Sequence, residues 1–149
     1  MATIKGLLFD ADGVIQKAPD NLGQLMADVL EDPTQDVDSF MKDIFAAEYP
    51  TCTNKGDFRK TIERVLMKWD CKKNYDKLLK VWLTTYPDLS ILELVRELHS
   101  RGIFCGLASN QPRCRARFMS KNLGYNDIFH SEFYYCDIGY NDKKGGRNE

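Results

Sequence analysis

The sequence predicts an α/β fold: a doubly wound, Rossmann-like parallel sheet that is incomplete and carries an inserted helical-bundle cap. Three observations lead to this prediction. Short, continuous apolar runs at 4–9, at 103–108 and within 128–136 are typical of strands in a parallel sheet. Helical periodicity fills the stretches between the later runs. Residues 16–87 form a separate helical block after the first strand.

The first predicted strand covers residues 4–9 and is followed by Asp10 and Asp12. Its continuous apolar character predicts burial on both faces. The two carboxylates lie at the carboxyl end of the strand, where open α/β sheets bind ligands, and Gly13 permits a sharp exit. Such a pair can hold a magnesium ion, or act as nucleophile and general acid. The alternative is a solvated turn, because Asp and Gly favour turns for conformational reasons alone.

The block 16–87 contains four amphipathic faces at helical spacing, interrupted by Pro33 and Pro50 and by polar stretches. This pattern predicts four helices joined by the short connections usual in bundles. Its aromatic residues, among them Trp69 and Trp82, are predicted to fill the core of the bundle.

The chain after the insert predicts one βαβ-like unit. Asp88 or Ser90 can cap a helix that ends at Gly102, a natural left-handed terminus. A second buried strand follows, and Pro112 suits the first turn of the next helix, which is predicted to end near 123–124. We therefore expect a helix on each side of the second strand.

Ser109 follows the second strand directly and precedes the helix that starts near Pro112. Its hydroxyl and the free amides of the helix can form a phosphate cradle. The alternative is that Ser109 only caps the helix. Three arginines in this helix are predicted to form a solvated face: Arg113, Arg115 and Arg117.

The sequences FDADG at 9–13 and LASNQ at 107–111, separated by a helical block, together resemble the haloacid dehalogenase superfamily. The resemblance runs from Ile4 to about Lys144. FDADG matches the first motif of that family and LASNQ the second. The helical insert resembles the small bundle that caps the active site in one branch of the family.

The resemblance implies a role for each matching residue. Asp10 would attack phosphorus and form an aspartyl-phosphate, while Asp12 would protonate the leaving alcohol and then activate water. Ser109 and Asn110 would bind the transferring phosphoryl group. Mg²⁺ would be held by the Asp10 carboxylate and the backbone carbonyl of Asp12.

The carboxyl-terminal motifs match less well. Lys143 or Lys144 could serve as the lysine of the third motif, but no proline follows, and a basic tail is the alternative. The acidic pair of the fourth motif is absent, because the available acids come too early: Asp127, Asp137 and Asp142. Its strand would lie beside residues 4–9, which are therefore expected to form an exposed apolar edge.

Two interpretations follow from the absent motif. The chain is a truncated product of a longer phosphatase, or it borrows the missing wall from a second copy or another protein. Truncation is favoured, because the final GGRNE carries no apolar residues for docking. The expected domains are a core of 1–15 and 88–144, a cap of 16–87 and a disordered tail of 145–149.

The expected function is a magnesium-dependent phosphomonoesterase that acts on a small phosphorylated metabolite, such as a sugar phosphate or nucleotide. Three alternatives stay open: a 2-haloacid dehalogenase, a phosphomutase, and a non-catalytic binding or regulatory remnant of the fold. Asp12 favours phosphate over halide, because a departing halide needs no proton.

Composition bears on partners and location. With 21 basic and 22 acidic residues the net charge is -1, which gives no electrostatic footprint for nucleic acid or an anionic membrane. No apolar run is long enough to span a bilayer, and the amino terminus does not resemble a signal peptide. Five cysteines without CxxC spacing are consistent with the reducing cytoplasm.

Overall fold

The computed structural model describes residues 3–139, which form two sheets and eight α-helices. The strands are β1 (Gly6–Phe9), β2 (Gln16–Lys17), β3 (Tyr86–Pro87), β4 (Phe104–Ser109) and β5 (Ser131–Tyr134). The helices are α1 (Leu22–Leu30), α2 (Val37–Glu48), α3 (Phe58–Lys68), α4 (Tyr75–Leu83), α5 (Leu89–Ser100), α6 (Arg113–Lys121), α7 (Tyr125–Ile128) and α8 (Tyr135–Ile138).

The larger sheet has the order β1-β4-β5, and both of its strand pairs are parallel. Parallel neighbours require crossover connections, which are supplied by the cap and α5 before β4, and by α6 and α7 before β5. The predicted α/β class, with an incomplete parallel sheet and an inserted helical block, is confirmed.

Among the described residues, β1 pairs only with β4, so the expected exposed apolar edge is confirmed. The prediction that this strand is buried on both faces is wrong, because Leu8 is 66% exposed. Helices α5 to α7 pack on one face of the sheet, where Cys105 and Leu107 are completely buried. On the opposite face the apolar side chains of Leu8, Phe104 and Phe133 remain exposed.

The four helices predicted for the insert are confirmed as α1 to α4. Asp36 caps α2 by accepting a hydrogen bond from the Ser39 amide, and Asp57 caps α3 in the same way from Lys60. Two short 3₁₀ turns, Tyr49–Thr53 and Lys72–Asn74, complete the connections.

Two separate hydrophobic clusters form within residues 3–139. One is built from the sheet and the helices α5 to α7, with Leu107, Met119 and Tyr125 completely buried. The other is built from α1 to α4, with Phe40 and Leu66 at its centre. The division into core and cap domains stays a prediction, and this packing supports it.

The cap joins the core through a two-stranded antiparallel ribbon. Gln16 in β2 pairs with Pro87 in β3, and Lys17 pairs with Tyr86. Sequence analysis missed both strands, because two residues carry no periodicity. The ribbon nevertheless lies at the predicted boundaries of the insert.

The helices after the cap follow the sequence closely. Asp88, and not Ser90, caps α5, since its carboxylate accepts hydrogen bonds from the amides of Ser90 and Ile91. Pro112 lies at the N-cap of α6 and not in its first turn. The helix ends at Lys121, slightly before its predicted end, and Gly124 precedes the short helix α7.

Candidate active site

The loop after β1 is a tight turn. The Ala11 carbonyl accepts hydrogen bonds from the amides of Val14, Ile15 and Gln16, and Gly13 has a φ of 78°. This left-handed conformation suits glycine, so the predicted sharp exit at Gly13 is confirmed. The Asp10 carboxylate accepts a hydrogen bond of 2.7 Å from the amide of Ala11.

The loop after β4 ends beside that turn, because β1 and β4 are parallel neighbours with Phe9 opposite Leu107. Ser109 is buried, and its hydroxyl accepts a hydrogen bond of 3.1 Å from Gln111 Nε2. Its side chain does not cap α6, whose N-cap residue is Pro112. The simple helix-cap alternative for Ser109 is therefore wrong.

Asp12 accepts four hydrogen bonds, of which the one from Gln111 links the two loops. Its Oδ1 accepts from Gln16 Nε2 at 2.8 Å and from Arg115 Nη2 at 3.1 Å. Its Oδ2 accepts from Gln111 Nε2 at 2.7 Å and from Arg115 Nη1 at 3.1 Å. The guanidinium–carboxylate pair is thus bidentate, which is the strongest geometry for such a contact.

The side chain of Gln16 is held in place by a second hydrogen bond, from Tyr125. It is buried, and its Oε1 accepts a hydrogen bond of 2.9 Å from the hydroxyl of Tyr125. Burial raises the pKa of Tyr125 to about 12, with a further contribution from the charge of Asp12. Tyr125 therefore stays a neutral donor and holds the Gln16 amide towards Asp12.

A cleft of about 390 Å³ opens above Asp12, between the core and the cap. The cap contributes Glu48 and Trp82, and the Glu48 carboxylate accepts a hydrogen bond of 2.7 Å from the Trp82 indole. Burial raises the pKa of Glu48 from 4.5 to about 6, and the Trp82 hydrogen bond opposes that rise. A wider cleft of about 530 Å³ lies beside Arg59, but Asp12 does not line it, and Asp10 lines neither cleft.

Searches of solved structures find proteins with the same architecture. A HAD family enzyme from Bacteroides thetaiotaomicron matches with a TM-score of 0.70 at 16% identity, over 96% of this chain and 74% of that chain. The L-2-haloacid dehalogenase of Xanthobacter autotrophicus matches with a TM-score of 0.57 at 15% identity, over 92% and 59%. A protein assigned as a phosphoglycolate phosphatase, from Lactobacillus delbrueckii subsp. bulgaricus, gives 0.54 at 17%, over 99% and 69%.

This chain has the haloacid dehalogenase-like fold. It spans 59–74% of the length of the solved structures that it resembles, which include both dehalogenases and phosphatases. No protein-family model and no curated protein matches it. In residues 3–139 there is no helix with the length and apolar character needed to cross a membrane.

On this haloacid dehalogenase-like scaffold, the predicted residues come together in part. Asp12 and Ser109 share the donor Gln111, and Asn110 lines the same cleft as Asp12. Asp10 follows β1 directly at the adjacent strand end. The predicted lysines, Lys143 and Lys144, and the predicted disordered tail lie outside the described residues.

Three polar partners of Asp12 were not predicted as site residues: Gln16, Gln111 and Arg115. The prediction that Arg115 belongs to a solvated face is wrong, because its side chain is only 12% exposed and binds Asp12. Arg113 and Arg117 fit that prediction better, since each is more than half exposed and pairs with Asp137. The sequence carries a signal for two of these residues. Gln111 and Arg115 are four positions apart at the start of a helix, a spacing at which side chains are neighbours.

The donor chemistry of the site fits magnesium. Mg²⁺ prefers oxygen ligands and commonly keeps several waters while binding one or two carboxylates together with substrate phosphate. The Asp10 carboxylate and the Asp12 backbone carbonyl offer such oxygens. Among the residues that the structure describes, no group of three His, Cys, Asp or Glu side chains offers a closed metal cage.

Proposed function

We propose that this haloacid dehalogenase-like chain is a magnesium-dependent phosphomonoesterase that acts on a small phosphorylated metabolite through an aspartyl-phosphate intermediate. The hydrogen-bonded series Asp12–Gln111–Ser109, which connects the ends of β1 and β4, is the observation that carries the proposal. It brings a carboxylate and a hydroxyl to the strand ends where Asp10 also lies. Phosphoryl transfer depends on this kind of positioning.

In the proposed reaction an Asp10 oxygen attacks phosphorus, and the bond from phosphorus to the leaving oxygen breaks as Asp12 donates a proton to that oxygen. Water then attacks the aspartyl-phosphate and transfers a proton to Asp12. The phosphorus–oxygen bond to Asp10 breaks, which restores its carboxylate and releases phosphate. Ser109 and Asn110 hold the phosphoryl oxygens during both steps.

Magnesium held by the Asp10 carboxylate and the Asp12 carbonyl would neutralise charge between nucleophile and phosphate. We assign a further positive contact with the phosphoryl group to Lys143 or Lys144. Both lysines lie outside the described residues, four and five positions after Gly139 in the sequence.

The proposed substrate is compact, because the cleft of about 390 Å³ lies at the small end of the usual range for ligand sites. Its cap wall combines the aromatic rings of Phe45 and Trp82, whose centroids are 5.2 Å apart, with the carboxyl of Glu48. A ring-shaped leaving group with hydroxyls, such as a sugar, would suit both features. We place the reaction in the cytoplasm, where the five free thiols stay reduced.

The test is an assay of phosphate release from p-nitrophenyl phosphate and a panel of sugar phosphates, with and without magnesium. The Asp10→Asn variant removes the nucleophile, while Asp127→Asn makes the same chemical change at an exposed position and serves as the matched control. The proposal would be supported by turnover that needs magnesium, provided that it is lost in Asp10→Asn and kept in Asp127→Asn. Absence of turnover from folded protein would instead favour a non-catalytic remnant of the fold.

The same panel separates a phosphatase from a phosphomutase. Both reactions begin with transfer to Asp10, but a mutase returns the phosphoryl group to another hydroxyl of the sugar. Isomerised sugar phosphate in place of free phosphate would therefore identify the mutase.

A second candidate is carbon–halogen hydrolysis by the same Asp10 nucleophile. It is favoured by the dehalogenases among the similar structures, one of which, from Xanthobacter autotrophicus, has chloropropionic acid covalently bound. Release of chloride from 2-chloropropionate, absent in Asp10→Asn, would support it over the phosphatase.

A further inference from the structure

The cap side of the cleft contains a carboxylate that has no cation beside it. Glu48 of α2 lines the cleft, and among the residues that the structure describes it belongs to no ion pair. Its Oε1 accepts a hydrogen bond of 2.7 Å from the Trp82 indole. A carboxylate offers about four lone-pair sites, and an indole fills one of them. Glu48 can therefore accept further hydrogen bonds from a molecule in the cleft.

The other charged side chains that line this cleft already have partners. Arg115 pairs with Asp12 at 3.1 Å, and Lys17 pairs with Asp20 at 3.5 Å. Burial raises the pKa of Glu48, and the hydrogen bond from Trp82 and the charge of Arg115 oppose that rise only in part. Among the charged side chains of this cleft, Glu48 is thus the one without a counter-ion within the described residues.

A second carboxylate on α2 shows how the cap balances such a charge elsewhere. Asp43 Oδ2 accepts a hydrogen bond of 2.8 Å from the Trp69 indole and one of 2.7 Å from Lys68 Nζ. The bond from Lys68, followed by that from Trp69, lowers the pKa of Asp43. Glu48 has the same kind of indole donor but no lysine, and it faces the cleft. The missing cation at Glu48 is therefore one that a ligand can supply.

Aromatic rings lie next to this carboxylate. Phe45 precedes Glu48 by three positions on α2, a spacing at which side chains are neighbours, and its ring centroid is 5.2 Å from that of Trp82. Phe45 is 47% exposed and lines the cleft. Aromatic faces attract ammonium groups but offer no ligands to a metal ion. The combination of rings and carboxylate favours an organic cation.

We infer that Glu48, Phe45 and Trp82 form a cation subsite, so that the preferred substrates are small phosphomonoesters whose leaving group carries an ammonium group. Amino sugar phosphates and aminoalkyl phosphates belong to this class. The inference rests on the proposed phosphatase function and narrows its substrates. The ammonium group takes no part in the chemical steps. It orients the ester, with the cation towards the cap and the phosphate towards the core.

The test compares two pairs of substrates that differ in the ammonium group: glucosamine 6-phosphate with glucose 6-phosphate, and phosphoethanolamine with ethyl phosphate. At pH 7 a carboxyl with a pKa of about 6 is mostly ionised. A hydrogen bond to a charged group corresponds to a factor on the order of 10–100. We expect the wild-type protein to favour the ammonium member of a pair by at least about 10-fold in kcat/KM. The pair that shows the preference distinguishes amino sugars from aminoalkyl compounds.

Two variants make the result specific to the charge of Glu48. Glu48→Gln keeps an oxygen that accepts from the Trp82 indole but removes the charge, so the preference should fall below about 3-fold. Asp43→Asn makes the same change at the other indole-bound carboxylate of α2, outside the cleft, and should leave the preference unchanged. Thermal unfolding of each variant checks that the fold is intact. A purely structural role of Glu48 would lower turnover of both members of a pair equally.

Binding gives a measurement that does not depend on turnover. In the Asp10→Asn variant, which lacks the proposed nucleophile, calorimetry should give a lower Kd for the ammonium member of the pair than for its neutral partner. The NMR signal of the Trp82 indole N–H should shift with the ammonium compound, because that group donates to Glu48. Adding Glu48→Gln to Asp10→Asn should abolish the difference in Kd.

The outcomes separate the two proposals. Equal kcat/KM for the members of both pairs, or an equal loss on every substrate in Glu48→Gln, would overturn the cation subsite and leave the phosphatase function standing. Tighter binding of the ammonium member without turnover of any phosphate would overturn the proposed function and keep the subsite. Absence of both binding and turnover for all four compounds would overturn both.

Discussion

Replacing Glu48 with glutamine should stabilise the protein at neutral pH and leave its stability unchanged in acid. Burial raises the pKa of this carboxyl from 4.5 to about 6. Below pH 4.5 the group is protonated in both the folded and the unfolded chain, and burial carries no charge penalty. Above about pH 6 it is ionised in both, and the folded state alone bears the cost, which corresponds to about 2 kcal/mol. The stability that the neutral acid provides is therefore lost as the pH rises through 6.

The glutamine variant removes this dependence while it keeps an oxygen that accepts from the Trp82 indole. Urea unfolding of both proteins between pH 4 and pH 8 should give equal free energies of unfolding at the acid end. At the alkaline end the Glu48→Gln variant should be more stable by about 2 kcal/mol. Glu93→Gln, at an exposed position of α5, should give no such divergence. A constant difference between wild type and Glu48→Gln across this range would refute the reasoning.

Two further predictions concern the Tyr125 hydroxyl, which donates to Gln16, and the exposed edge strand β1. Tyr125→Phe leaves Gln16 Oε1 buried without its donor, so the free energy of unfolding in urea should fall by about 1–3 kcal/mol. Tyr86→Phe, at a half-exposed position, is its control, and an equal loss in both would argue against the hydrogen bond. Leu8→Lys places a charge on an exposed edge strand and should lower light scattering on concentration, with stability changed by no more than about 0.5 kcal/mol. Unchanged scattering would show that this edge does not drive association.

The sequence predicted the parts of the fold that depend on local pattern. The four cap helices and β4 follow from apolar spacing, and Asp88 and Gly102 mark the ends of α5 as expected. The burial of β1 was predicted incorrectly, because an apolar strand does not reveal whether both of its faces are covered. The ribbon of β2 and β3 was missed because its strands are too short to carry a pattern.

The candidate site was predictable where a residue follows a strand directly. Asp12 and Ser109 were predicted as site residues because each lies just beyond an apolar run, and the structure places them near each other through their shared donor Gln111. Gln16 and Arg115 were missed, because their role comes from tertiary contacts. Arg115 and Asp12 are 103 positions apart, and no local periodicity connects them. Their pairing depends on the parallel register of β1 and β4.

The ribbon of β2 and β3 places the entrance and the exit of the cap side by side. Paired strands lie about 4.8 Å apart. The two ends of the core chain that flank the insert are therefore close enough to be joined by a hairpin turn. The segment 18–85 has its own hydrophobic cluster, against which Cys114 of α6 also packs. A domain inserted in this way can be exchanged or lengthened without altering the path of the core chain, since both of its ends stay fixed. Under the proposed function, such an insertion would let substrate selectivity change in the cap while Asp10 and Asp12 stay in the core.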